Sequence, residues 1–97
     1  MLSGKQRRFL RALGNAVDPI VQIGKSGVTE NNIFSLNEAL TARELVKVRI
    51  LKNCLEEPKE VAEGLLAQTG AYLVQVIGRN VILYRPSENK PLIELPK

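Results

Sequence analysis

The sequence predicts one small domain of the α/β or α+β class, built around a mixed four-stranded sheet. Helix-like and strand-like segments follow one another in the order α-β-α-β-α-β-β along 97 residues. Strands that are separated by a helix pair in parallel through right-handed crossovers. The last two strands are joined only by Gly78-Arg79-Asn80, which makes them antiparallel neighbours. With 44% apolar residues, residues 1–97 can form a single domain with a real core.

The first predicted helix has one apolar and one basic face. Ser3 and Gln6 form a capping-box pattern at its start, Gly14 is placed to end it, and Asp18-Pro19 excludes its continuation. The apolar side chains that share one arc are Phe9, Leu10, Leu13 and Ala16 or Val17. The basic side chains on the opposite arc are Lys5, Arg7, Arg8 and Arg11. No acidic residue interrupts this basic face, which favours contact with an anion over a solvated surface.

A short strand, a glycine-bounded loop and a second helix are predicted next. Residues 20–24 (IVQIG) are typical of a buried strand, and the loop Gly24-Lys25-Ser26-Gly27 follows directly. Thr29 can cap the second helix. The apolar stripe of that helix consists of Ile33, Leu36 and Leu40. Phe34 projects about a quarter turn away from the stripe, so we expect its ring to be exposed to solvent.

The second half of the chain supplies the other strands and the third helix. Residues 44–52 (ELVKVRILK) alternate as a strand, with Lys47 and Arg49 on one face. A helix is predicted from Glu57-Pro58 to Gly70, because proline suits the first helical position and glycine the position after the last turn. Residues 71–78 (AYLVQVIG) and 80–85 (NVILYR) are the last two strands. We expect residues 86–97, which contain interior prolines, to form an extended and loosely held tail.

Composition argues against an enzyme, a metalloprotein and a membrane protein. The chain has no histidine, the commonest general base and metal ligand, and its one cysteine, Cys54, is expected to be a buried apolar residue. The acidic run Glu56, Glu57, Glu60 and Glu63 suits the start of the third helix better than catalysis. No apolar segment resembles a membrane span or a secretion signal. We therefore expect a monomeric cytoplasmic protein without catalytic residues, cofactors or metal.

The positive charge is concentrated near the amino terminus. Residues 1–29 carry five basic side chains and one acidic one, whereas the remaining 68 residues carry nine of each, so the net charge of +4 arises entirely in the first segment. An excess of this kind indicates a polyanionic partner.

The Gly24-Lys25-Ser26-Gly27 loop lies in the same basic segment. Gly-Lys-Ser also occurs in nucleotide-binding P-loops, but those need a glycine five positions before Gly24, where this chain has Pro19. The spacing fits better the G-x-x-G loop with which KH-type modules hold the backbone of single-stranded RNA. Because ordinary strand-to-helix turns also contain such patterns, a purely structural role stays open for the loop. The same two roles stay open for the later basic residues Lys47, Arg49, Arg79 and Arg85.

Four segments together resemble the CRM-domain family, specifically its free-standing bacterial YhbY-type members. They are GKQRRFLRALGN (4–15), PIVQIGKSGVTEN (19–31), ELVKVRILKN (44–53) and TGAYLVQVIGRNVILYRPS (69–87). The resemblance covers residues 2–96. It implies a two-layer fold akin to the C-terminal domain of bacterial translation initiation factor three, with the last strand antiparallel to the others. It also implies RNA binding and association with the precursor of the large ribosomal subunit during assembly.

The resemblance assigns the family's RNA-binding features to positions in this sequence. Its G-x-x-G loop corresponds to Gly24, Lys25, Ser26 and Gly27, and its basic first-helix surface to Lys5, Arg7, Arg8 and Arg11. We expect a non-catalytic assembly factor that grips ribosomal RNA with the backbone amides of the loop and neutralises phosphates with these cations, together with Lys47 and Arg49. Two alternatives stay open: an adaptor that docks on a ribosomal protein through Phe34 and the open sheet face, and a DNA-binding module.

Overall fold

The computed structural model describes residues 2–88 and 91–97, in which three helices pack around a four-stranded sheet. The helices are α1 (Gly4–Asn15), α2 (Glu30–Arg43) and α3 (Pro58–Thr69). The strands are β1 (Pro19–Ile23), β2 (Leu45–Ile50), β3 (Tyr72–Ile77) and β4 (Asn80–Tyr84), in the spatial order β1-β2-β4-β3. Strands β1 and β2 are parallel, and β4 is antiparallel to both of its neighbours. The predicted fold class is confirmed.

The predicted helix signals operate as local hydrogen bonds. In α1 the Gln6 amide donates to the Ser3 hydroxyl over 3.1 Å, and the Ser3 amide donates to the Gln6 side chain over 3.0 Å. Thr29 and Asn32 form the same reciprocal pair at the start of α2. Pro58 occupies the first position of α3, and Gly70 ends that helix in the left-handed conformation. These signals therefore fix the helix starts and the end of α3.

The main core lies between the sheet and the pair formed by α2 and α3. Its fully buried members include Ile23, Leu36, Leu40, Val48, Ile50, Leu65, Val81 and Leu83. Cys54 is buried in the same cluster, as predicted. Because the side chains of a strand alternate between faces, Lys47 and Arg49 of β2 point to the other face of the sheet.

A second apolar cluster covers that other face, and here the structure differs from the two layers that the resemblance implied. Its buried members are Leu2, Leu10, Leu45, Val74, Ile82 and Tyr84, with Ile93 and Leu95 packed against them. Strands β2, β3 and β4 thus carry apolar side chains on both faces, and α1 lies across them as a third layer. The sheet face that we expected to be open is largely covered.

The prediction that Gly14 ends α1 is wrong, because the glycine lies within the helix and faces Ile82. A methyl group on Gly14 would come 2.7 Å from Cδ1 of Ile82. The glycine therefore serves the close approach of helix and sheet.

In the carboxyl-terminal segment (residues 86–97), the described residues 86–88 and 91–97 are held by specific contacts rather than loosely. The buried carboxylate of Glu44 accepts hydrogen bonds from the backbone amides of Ser87, Leu92 and Ile93 at 2.5–2.7 Å. Farther along, the Gln6 side chain donates to the carbonyl of Pro96 over 3.1 Å. Residues 89 and 90 of the predicted tail lie outside the described residues. Across the described part of the chain, no helix is both long and apolar enough to span a membrane.

Candidate nucleic-acid interface

The loop of residues Gly24–Gly27, which we call the GKSG turn, is a closed turn at the carboxyl end of β1. The Gly27 amide donates to the Gly24 carbonyl over 3.0 Å. Since Glu44 is the one non-glycine residue with positive φ in the described part of the chain, Lys25 and Ser26 both have negative φ, which makes this a type I turn. Gly27 follows in the left-handed region with φ 70°. Lys25 and Ser26 are exposed at the tip, whereas the Gly27 amide is engaged within the turn.

Three contacts hold the turn and the end of β1 in place. The Leu51 amide donates to the Ile23 carbonyl over 2.8 Å, and the Asn32 side chain donates to the Gln22 carbonyl over 3.2 Å. A methyl group on Gly27 would lie 2.7 Å from Oε1 of Glu56, so the backbone of the turn touches the connection between β2 and α3. The tip is therefore held in one place, which lowers the entropic cost of binding a ligand there.

The two cations of β2 have different surroundings. Arg49 is exposed and stands beside Gln22 of β1, two residues before the GKSG turn. Lys47 is half-buried and lines a groove with Leu13, Val17 and Ile93. Of the two, Arg49 is the one that the sheet places next to the turn.

The cations of α1 occupy its flank and its outer surface. Lys5, Arg7 and Arg8 are exposed, and Arg11 is half-buried. With Leu10 at the centre of the packed face, Gln6 is rotated about 40° to one side, whereas Arg7 and Arg11 are rotated about 60° and 100° to the other. Gln6 bonds to the carboxyl-terminal segment, which is anchored by Glu44 at the beginning of β2. Arg7 and Arg11 thus lie on the opposite flank of α1 from Gln6, whereas Leu13, on the same flank as Gln6, lines a groove with Ile20 of β1 and Lys47 of β2.

Arg79 and Arg85, whose roles the sequence left open, do not belong to this surface, because both guanidinium groups form hydrogen bonds within the protein. Arg79 donates to the carbonyls of Ile50 and Leu51 at 3.0 and 2.8 Å. Arg85 donates to the side chain and carbonyl of Asn37 and to the carbonyl of Thr69, tying β4 to α2 and α3. Sequence reasoning left these roles open because a basic residue that follows a turn or ends a strand gives no sign of a carbonyl partner elsewhere in the chain.

The basic side chains on the candidate surface are available to a ligand. Within residues 2–88 and 91–97, none of the predicted cations of α1, the GKSG turn and β2 forms an ion pair with a described carboxylate. Among the same residues, no group of three or more histidine, cysteine, aspartate or glutamate side chains is arranged to hold a metal ion. The arrangement offers unpaired positive charge and a glycine-bounded turn, which together suit contact with a phosphate backbone.

Comparison with known proteins places the chain among relatives of similar length. The family model for the CRS1 / YhbY (CRM) domain matches residues 2–85. The chain is 49% identical over 96 residues to the probable RNA-binding protein YqeI of Bacillus subtilis, covering 99% of this chain and 100% of YqeI. It is 36% identical to an RNA-binding protein of Haemophilus influenzae, covering 99% and 96% of the two chains.

A solved structure has the same fold as this chain. The solution structure of the hypothetical protein SAV1595 from Staphylococcus aureus superimposes with a TM-score of 0.84 at 49% identity, covering 99% of this chain and 100% of the other. The match of the family model to most of the chain and the identity to full-length relatives lead to one conclusion: the chain belongs to the CRS1/YhbY (CRM) domain family.

Proposed function

We propose that this chain binds single-stranded RNA through its sugar-phosphate backbone and does not catalyse a reaction. The observation that carries the proposal is the GKSG turn, which holds Lys25 and Ser26 at an exposed, fixed tip with the cation Arg49 in the adjacent strand. The names of relatives such as YqeI, a probable RNA-binding protein, support the same class of ligand.

In the proposed complex the turn and the helix act on neighbouring phosphates. Lys25 neutralises one phosphate, and the Ser26 hydroxyl is available to donate a hydrogen bond to the same group. Gly27 keeps the tip in place, because the absence of a side chain there lets the turn pack against Glu56 in the connection between β2 and α3. Arg49 and the α1 cations Arg7 and Arg11 neutralise further phosphates of the same RNA strand. Contacts of this kind position the RNA without reading its sequence.

We further propose that the RNA is ribosomal and that the chain acts as an assembly factor on precursors of the large ribosomal subunit. The support for this step is the resemblance to free-standing YhbY-type proteins. Crosslinking in cells followed by sequencing of the bound RNA tests it. Reads concentrated in large-subunit ribosomal RNA, together with cosedimentation of the protein with precursor particles, are expected. Reads spread over unrelated RNAs would contradict the ribosomal assignment while leaving RNA binding intact.

The double variant Lys25→Asp/Ser26→Asp tests the role of the turn. Replacing one positive charge by two negative ones next to a phosphate is expected to weaken RNA binding by at least about tenfold. Because both side chains are exposed, the melting temperature should change little. Fluorescence anisotropy with a labelled single-stranded RNA measures the affinity, and circular dichroism measures the melting temperature.

Arg43→Asp is the matched control for this experiment. Arg43 is an exposed cation at the end of α2, next to the start of β2, and therefore at the opposite end of the parallel strands β1 and β2 from the turn. It should leave RNA affinity within about twofold of the unmodified protein, as expected for a cation outside the contact. Equal losses in the two variants would mean that overall charge, and not the turn, governs binding. The same titration with DNA of identical sequence separates RNA binding from general nucleic-acid binding.

Exposure of Phe34 favours a second candidate, docking on a ribosomal protein. The Phe34 ring is 67% exposed on α2, as predicted. The other half of that hypothesis is weakened, since α1 and the carboxyl-terminal segment cover most of the second sheet face. Phe34→Ala should leave RNA affinity unchanged under either function. A loss of particle association in this variant, with the Lys25→Asp/Ser26→Asp variant still bound, would favour the adaptor.

A further inference from the structure

We infer that Leu55 is a contact for an unpaired base of the RNA whose backbone the GKSG turn holds. This inference rests on the proposed function and adds a second element to the site, the connection of residues 51–57 between β2 and α3. In this arrangement one loop grips the phosphate, and the neighbouring loop supports the base.

The 51–57 connection lies against the GKSG turn at both of its glycines. A methyl group on Gly24 would be 3.5 Å from Cδ1 of Leu51 and 3.7 Å from Oδ1 of Asn53. A methyl group on Gly27 would be 2.7 Å from Oε1 of Glu56. The two loops follow the carboxyl ends of neighbouring parallel strands, which is where α/β sheets commonly place their ligands.

The connection is fixed in place by hydrogen bonds at its beginning. The Leu51 amide donates to the Ile23 carbonyl over 2.8 Å, and the Cys54 amide donates to the Leu51 carbonyl over 3.0 Å. The Arg79 guanidinium donates to the same Leu51 carbonyl over 2.8 Å. Cys54, only 6% exposed, anchors the connection in the core. A side chain carried by this connection is therefore presented in a defined position relative to the turn.

Leu55 follows this anchor and is 91% exposed, so it contributes almost nothing to the folded core. A single exposed leucine is common on protein surfaces and indicates nothing by itself. What distinguishes Leu55 is its place: it lies between buried Cys54 and Glu56, the residue whose carboxylate touches Gly27. Exposed Leu92, in contrast, belongs to the carboxyl-terminal segment.

The charges around Leu55 indicate which part of a nucleotide would reach it. The Glu56 carboxylate beside Gly27 disfavours a phosphate on that side of the turn, whereas Lys25 favours one at the tip. A nucleotide whose phosphate binds at the tip can then direct its uncharged base toward the connection. In single-stranded RNA such a base is free to leave its neighbours and lie on an apolar side chain, whereas in a duplex it is stacked inside. Leu55 thus favours unpaired over paired RNA.

The test compares Leu55→Ala with Leu92→Ala, the same substitution at an exposed leucine away from the turn. Each protein is titrated with three labelled probes: a mixed-sequence single-stranded RNA, its duplex, and a strand of the same length with abasic nucleotides. Leu55→Ala is expected to weaken binding to the intact single strand about fivefold, since the base loses part of its apolar contact. It should not change binding to the abasic strand or the duplex. Leu92→Ala should match the unmodified protein on all three probes.

The possible outcomes distinguish failure of the Leu55 base contact from failure of RNA binding as a whole. If the unmodified protein binds single-stranded RNA and Leu55→Ala binds all three probes equally well, the base contact is refuted and RNA binding stands. An equal loss on intact and abasic strands would show a backbone effect and would also refute the base contact. If the unmodified protein binds none of the probes, both the base contact and the proposed function are refuted. Unchanged thermal melting is expected for both variants, because both side chains are exposed.

Discussion

Gly27 shows how one residue can be required for two reasons at the proposed site. Its φ of 70° lies in the left-handed region, and its α-carbon faces the Glu56 carboxylate. The sequence predicted a glycine-bounded turn here, since glycine at both ends of a Lys-Ser pair is a turn signal. It could not predict the contact with Glu56, because that contact joins residues 29 positions apart through the packing of two loops.

We expect Gly27→Ala to lower the free energy of unfolding by about 1–2 kcal/mol, chiefly because an alanine is strained at positive φ. The Glu56 carboxylate is the end of a flexible side chain and can move aside, so the change Glu56→Ala should relieve only a small part of the loss. The matched control is Gly64→Ala in α3, where a methyl group meets no atom within 4 Å. In a helix interior this control should raise stability by about 0.5–1 kcal/mol. Urea unfolding of the variants measures both, and a stable Gly27→Ala variant would contradict the strain.

At the level of elements, Glu44 and the carboxyl-terminal segment form a contact that the sequence did not reveal. Glu44 ends α2 with a φ of 67°, an unusual value for a residue other than glycine, and its side chain is fully buried. The pKa of Tyr84 is raised by burial and by the neighbouring Glu44 carboxylate. A proline-containing terminus normally indicates a loosely held segment. Glu44, which the sequence assigned to the start of the 44–52 strand, instead holds this terminus through buried hydrogen bonds.

The isosteric change Glu44→Gln tests this contact. An amide group replaces one of the two oxygens that accept the amides of Ser87, Leu92 and Ile93, so a donor would then face a donor. We expect the free energy of unfolding to fall by about 1–3 kcal/mol, the usual cost of an unsatisfied buried polar group. Glu38→Gln, at an exposed position of α2, is the control and should change stability by less than about 0.5 kcal/mol. Equal effects of the two substitutions, measured by urea unfolding, would mean that Glu44 does not hold the segment.

Most helix boundaries follow from local sequence patterns, and the carboxyl end of α1 is the exception. Capping residues, Pro58 and Gly70 predicted the helix starts and the end of α3 because they act within a few residues of each other. Gly14 was assigned to a helix end for the same local reason. Its actual role depends on Ile82, a residue of a strand that is distant in sequence. Nothing within a few residues of Gly14 signals that a sheet lies against the helix.

For the molecule as a whole, the distribution of charge was predictable, but its three-dimensional arrangement was not. The sequence places the whole excess of basic over acidic side chains in the first 29 residues. The structure adds that α1 lies across the sheet face that carries Arg49, with the carboxyl-terminal segment bonded to one flank. It also gives Lys47 a place in a groove on that face, beside Leu13 and Ile93. In the proposed complex the RNA contacts the cations of α1 as well as Arg49 and the tip of the turn.

The salt dependence of RNA binding is the most direct test of the central claim, that the GKSG turn and the basic surface of α1 bind one RNA strand together. If five of the cations of α1, the GKSG turn and β2 each neutralise one phosphate, the logarithm of the binding constant should fall with the logarithm of salt concentration with a slope of about −3.5. Removing two of them in Arg7→Ala/Arg11→Ala should reduce the slope to about −2.1. A slope near zero for the unmodified protein, or an unchanged slope for this variant, would contradict the claim.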